Sequence, residues 1–101
     1  MLNSISLVGK IVKNVYHVEN MAFIDIEVKR QFPEEIGKEK FDVFSIALWK
    51  GLEDMMSDVT QIGMIIAVRG RLIANKFTMA NYDFKEVIIY GELIEILNKY
   101  F

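Results

Sequence analysis

Hydrophobic and polar residues alternate along most of this chain with the period of an extended strand. Ile5, Leu7 and Gly9 alternate with Ser4, Ser6 and Val8, and Ile24, Ile26 and Val28 alternate with Asp25, Glu27 and Lys29. Successive side chains of a strand point to opposite faces, so each run predicts a strand with one buried face. Phe44, Ile46 and Leu48 alternate with Val43, Ser45, Ala47 and Trp49, a third strand whose second face is small except at its aromatic end. Ile65 to Phe77 and Phe84 to Leu97 read as two further long strands.

The punctuation between these runs fits the same reading. Val15 to Met21 is expected as a connection with Asn20 as turn former, and Thr78 to Asp83, with Asn81, turns the fourth strand into the fifth. Phe32 to Lys40 holds the only proline, Pro33, together with Gly37 and a charge run, which predicts an exposed loop. Between the third and fourth strands, Leu52, Met55, Met56, Val59 and Ile62 are spaced for one face of a short helix that Gly63 would end.

Strand, strand, strand, helix, strand, strand is the order of an all-β, five-stranded Greek-key OB-fold barrel with one short helix between strands three and four. An SH3-like barrel, or an open antiparallel sheet with one helix, is compatible with the same order. At 101 residues the chain is expected to form a single domain over 1–101.

Composition narrows the chemistry. A hydrophobic fraction of 52% beside 26% charged residues predicts a folded chain. The apolar runs are far shorter than the roughly 20 residues of a membrane-spanning helix. Met1 to Lys13 lacks the order of a signal peptide, so a cytoplasmic setting is expected. With no cysteine there is neither a disulfide framework nor a thiolate metal site. A net charge of −2 gives no global attraction to nucleic acid, so any such binding must come from local clustering of cations.

Enzymatic chemistry finds little support. The single histidine, His17, falls in an expected connection and reads as a solvated loop residue. The glycines are scattered rather than gathered into a phosphate loop. Asp25 and Glu27 stand about 7 Å apart on one strand face, but flanking Lys29 and Arg30 favour a salt-bridged outer face over a catalytic pair. No catalytic residue, metal ligand or cofactor is therefore expected.

A binding surface has better support. Trp49 shares a strand face with Val43, Ser45 and Ala47, whose small side chains leave the indole reachable. Phe77 follows Lys76, and Phe32 follows Lys29 and Arg30, so aromatic rings sit beside cations. Rings that stack on bases and cations that follow phosphates are what a single-stranded nucleic acid requires. Each of these rings could equally be core or rim packing, and the cations could serve only solubility and edge protection.

The segments MLNSISLVGKI, FDVFSIALWKGLEDMM, IGMIIAVRGRLIANKF and FKEVIIYGELIEIL, in that order and spacing, resemble the OB domain of bacterial single-stranded DNA-binding proteins over most of the chain. The resemblance implies that Phe32, Trp49 and Phe77 stack on bases and that Arg69, Arg71 and Lys76 approach phosphates. Lys10, Lys13, Lys29 and Arg30 are further expected contacts. By alternation Arg69, Arg71 and Phe77 share one face and Lys76 the other, unless a bulge at Gly70 shifts the count. It further implies non-enzymatic, largely sequence-independent binding of single-stranded DNA in replication, recombination or repair. A homo-oligomer, a tetramer ahead of a dimer, would assemble through Asn3, Ser4, Ile5, Ser6 and Leu7.

The chain departs from that pattern in three places. Val43 stands where several members carry a larger ring, and Asp25 and Glu27 place negative charge on the strand expected beside DNA. Many members also continue into an acidic tail that recruits replication and repair enzymes, whereas these 101 residues stop at Asn98, Lys99, Tyr100 and Phe101. Two other readings remain open: an OB-fold interaction or primosome accessory module, favoured by the acidic balance, and a small nuclease using Asp25 or Glu27.

Overall fold

The computed structural model describes residues 1–31 and 36–98. Its elements are β1 (Ile5–Val18), β2 (Met21–Lys29), β3 (Phe41–Leu48), α1 (Lys50–Val59), β4 (Ile65–Met79) and β5 (Tyr82–Asn98). The strands close into a barrel in the order β1-β2-β3-β5-β4, with β4 paired back onto β1 and only β3 and β5 parallel. This is the OB barrel expected from the alternation, and its closure replaces the open sheet as an alternative.

The alternating apolar positions point inward as the pattern requires. Ile11, Ile24, Ile26, Ile46 and Ile66 are fully buried, and Leu52 and Met56, one turn apart on α1, add to the same core. Burying such a side chain contributes roughly 1.5–3 kcal/mol before entropy is counted. The helix buries only Leu52 and Met56, whereas Met55, Val59 and Ile62 are exposed, so the expected apolar face is half as wide as its spacing suggested. It ends at Thr60 rather than Gly63: the Thr60 amide and hydroxyl both donate to the Met56 carbonyl. Gly63, at φ 99°, turns the chain into β4.

Two expected connections prove to be strand. Val15 to Val18 continue β1, and only Glu19 and Asn20 separate it from β2. Likewise Ala80 and Asn81, both with positive φ, form a two-residue turn inside the stretch expected as a loop over Thr78 to Asp83. His17 is thus a strand residue rather than a loop residue. Its Nε2 lies 2.5 Å from the Glu53 carboxylate on α1. Nearby, Asn14 donates to the Thr60 carbonyl at 2.9 Å, which ties the helix end to β1.

Beyond the barrel, β4 and β5 continue as a two-stranded arm. β1 pairs with β4 only as far as Gly70, and β3 meets β5 only at Ile89 to Gly91. The rest of the hairpin has no other strand beside it, and residues 74–87 are all exposed.

Candidate nucleic-acid interface

The outer face of the barrel is built by register. Arg71 pairs with Tyr90, Tyr90 with Ala47, Ala47 with Phe23, and Phe23 with Tyr16, so these side chains form one row across β4, β5, β3, β2 and β1. Paired residues project to the same side of a sheet. Within the row the Arg71 guanidinium lies 5.3 Å from the Tyr90 ring centroid. The Tyr16 and Phe23 rings stack at 5.8 Å, and the Lys13 ammonium sits 4.0 Å above Tyr16. Ala47 is the small member at the middle, almost fully covered.

Trp49 follows Ala47 by two residues in extended conformation and is 46% exposed. Its indole folds over the start of α1, since a Cβ built on Gly51 would lie 2.1 Å from the ring carbon Cζ3. Glycine there leaves the ring its resting place.

Along β1 the faces of Lys10, Lys13 and Tyr16 depart from strict alternation. Simple period-two counting sends Lys13 to the face opposite Lys10 and Tyr16. Register shifts between Ile11 and Lys13, and between Lys13 and Tyr16, each insert an extra residue into β1 and bring Lys13 opposite Asp25. Lys10 opposite Glu27, Lys13 opposite Asp25 and Tyr16 opposite Phe23 therefore share the outer face.

The two acidic residues of β2 find different surroundings. The Tyr16 hydroxyl donates to Asp25 Oδ1 at 2.6 Å and also lies 3.2 Å from Ser45 Oγ. Burial raises the Tyr16 phenol above its ordinary pKa, and the Asp25 bond adds to the rise, so it stays a donor at neutral pH. Lys29 and Arg30 do not neutralise this face as expected. Lys29 pairs with Glu39 at 2.7 Å, and Arg30 makes a two-bond contact with Asp42 at 2.8 and 2.9 Å. That bond from Arg30 holds the Asp42 carboxyl below its usual range.

The other expected site residues separate. At Gly70 the register shift places the extra residue, Glu92, on β5, so the count along β4 is uninterrupted. Arg69, Arg71 and Phe77 thus keep one side of β4 and Lys76 the other. They are not one patch, however. Arg69 lies in a depression with Ser6, Val8, Leu93 and Glu95, on the β1–β4–β5 face. Phe77 is out on the arm, about 20 Å along the strand from Arg71, and stacks on Phe84 at 5.5 Å. Lys76 faces Lys85 across the arm. Phe32 lies outside the described residues. Among the amino-terminal positions expected to pair with another copy, the Asn3 side chain is bonded at 2.9 Å to both the amide and the carbonyl of Leu72.

Tyr16, Phe23 and Tyr90, which the row brings together, are not among the residues expected at a site. For Tyr90 the signal was present, as the tyrosine of an alternating strand beside glycine.

No family model and no curated protein sequence matches the chain. Solved structures do. A Plasmodium falciparum SSB, solved in complex with ssDNA, aligns over 97% of this chain and 96% of its own, with a TM-score of 0.74 and 17% identity. Rim1, a mitochondrial single-stranded DNA-binding protein from S. cerevisiae, aligns over 96% and 97%, at 0.71 and 12%. A deletion mutant of the single-stranded DNA-binding protein from Thermus aquaticus aligns over 96% of this chain but 51% of its own, at 0.69 and 24%. The chain is folded as the OB barrel of these single-stranded DNA-binding proteins.

Proposed function

We propose that this protein binds single-stranded DNA, without enzymatic chemistry and largely without sequence preference, and protects it in replication, recombination or repair. The observation that carries this reading is the row Arg71–Tyr90–Ala47–Phe23–Tyr16, flanked by Trp49, Lys13 and Lys10. Rings offer stacking faces to bases of any kind, and the cations at both ends offer contacts to the phosphates between them. Phe77, on the Arg71 side of β4, extends the surface along the arm, while Lys76 lies on the arm's other face. Arg69, on another face, is at most a distal contact, and Lys29 and Arg30 contribute less because Glu39 and Asp42 hold them.

The first strand supports assembly with further copies. Residues 5–8 pair with β4 on one edge, while pairing with β2 begins only at Lys10. The open edge of Ile5, Ser6 and Leu7, beside exposed Val8, Leu93 and Leu97, suits a homo-oligomer, a tetramer ahead of a dimer. Joined barrels gain affinity through effective concentration.

The test is binding of fluorescently labelled oligo-dT followed by anisotropy over a range of salt concentrations. Affinity is expected to fall linearly with salt on logarithmic axes. In Arg71→Ala the slope should flatten by about 0.7–1, the share of one phosphate contact. An unchanged slope with unchanged affinity would remove Arg71 from the interface. The rival reading, an OB-fold protein-interaction module, draws on the exposed apolar arm around Met79, Tyr82 and Val87. It predicts a protein partner and no anisotropy change.

A further inference from the structure

On the same outer face, about 13 Å along β2 from Phe23, β1, β2, β3 and the start of β4 frame a groove of about 280 Å³. Gly9, Lys10, Glu27, Lys29, Phe41 and Ile65 line it. The Phe41 ring is 47% exposed. Lys29 is held by Glu39, as described. The unusual member is Glu27. It is half-buried, faces Lys10 in register, and among the described residues makes neither a hydrogen bond nor an ion pair.

An ionised carboxylate is an acceptor only, and one that is partly desolvated gains from a donor brought to it. On a surface that meets nucleic acid, phosphate is repelled and cannot be that donor. The exocyclic amino groups of cytosine, adenine and guanine are neutral donors, and Asp and Glu side chains accept from cytosine N4 in this manner. Thymine instead presents two carbonyl oxygens around its single ring N–H, and those oxygens are repelled by the carboxylate.

We propose that this groove is a nucleobase subsite that selects bases bearing an amino group, with Phe41 as the stacking face, the Glu27 carboxylate as the acceptor and the Lys10 ammonium on the adjoining phosphate. The inference rests on the single-stranded DNA reading and adds to it a compositional preference at one position along the strand. It also gives the acidic residue on this face a role. The charge that weakens contact with phosphates reads the bases between them.

The experiment compares oligo-dC and oligo-dT of equal length, at neutral pH and fixed salt, for the native protein, Glu27→Val and Glu27→Gln. Urea midpoints establish that each variant is folded. In Glu27→Val the loss of charge should raise affinity for oligo-dT, and the loss of the acceptor should lower the dC-to-dT affinity ratio about five- to tenfold from the native value. Glu27→Gln, nearly isosteric, keeps a carbonyl acceptor and should fall between the two. A dC-to-dT ratio unchanged in both variants overturns the subsite and leaves the broader reading standing. Failure of the native protein to bind either oligonucleotide at low salt removes the broader reading and the subsite together.

Discussion

Gly70→Ala is expected to cost the barrel about 2–3 kcal/mol, as overpacking at a site with nowhere to relax. Gly70 is buried and pairs with Gly91 where β4 crosses from its partner β1 to the free arm. A Cβ at this position would lie 2.1 Å from the Tyr90 carbonyl oxygen, 3.0 Å from its carbon and 3.3 Å from the Gly91 Cα. All three atoms belong to the backbone, so no side-chain rotation relieves the overlap. β4 and β5 must move apart at the register shift that also seats Tyr90 beside Arg71. Urea denaturation should show a lower midpoint with little change in slope, and a midpoint equal to the native one would contradict the close approach.

Trp49→Ala is expected to weaken oligo-dT binding by about 1–3 kcal/mol, roughly five- to 150-fold, the range for removing one stacking ring. The loss should persist at every salt concentration, because stacking releases no counterions, which sets it apart from Arg71→Ala. Folding should suffer little. Trp49 caps α1 without a side-chain hydrogen bond, and its carbonyl, which accepts from the Glu53 amide at 2.8 Å, is retained in alanine. Anisotropy of a labelled strand measures the affinity, and native affinity in a folded Trp49→Ala protein would exclude the indole from the interface.

The barrel was legible because its core obeys a local rule. Ile24 and Ile26 on β2, or Ile46 and Leu48 on β3, are buried at alternate positions, and nothing distant is needed to say so. The exposure of Trp49 is legible for the same reason, as the large residue on a face of small ones. The site beyond it depends on what alternation cannot carry. Two bulges in β1 rotate Lys13 into the face of Lys10 and Tyr16, and nothing in the sequence between Ile11 and Tyr16 announces them. Tyr16 itself lies in a stretch whose sequence reads as a connection, because Asn20 marks a turn without fixing how tight it is. Parallel pairing of β3 with β5 brings Ala47 to Tyr90, 43 positions apart by number, and so completes the row. The ion pairs that take up Lys29 and Arg30 likewise come from residues across the following connection rather than from neighbouring Asp25 and Glu27.

The same non-local geometry separates residues that share a strand. Arg69 and Arg71 are two positions apart and point the same way. Yet Arg69 sits among Ser6, Leu93 and Glu95, while Arg71 sits on Tyr90. The change of neighbour strand at Gly70 makes the difference, with β1 beside Arg69 and only β5 beside Arg71. Basic residues clustered in sequence are thus divided between the β1–β4–β5 face and the face that carries Tyr90.

Single-stranded DNA binding at the aromatic row is tested most directly by titrating the native protein with oligo-dT while following tryptophan emission. Trp49 is the only tryptophan, so the signal reports one position on the barrel. Stacking of a base on the indole should quench the emission to a saturating level, and added salt should restore it as the phosphate contacts are lost. Emission that stays unchanged, together with no mobility shift of the oligonucleotide at low salt, would contradict it.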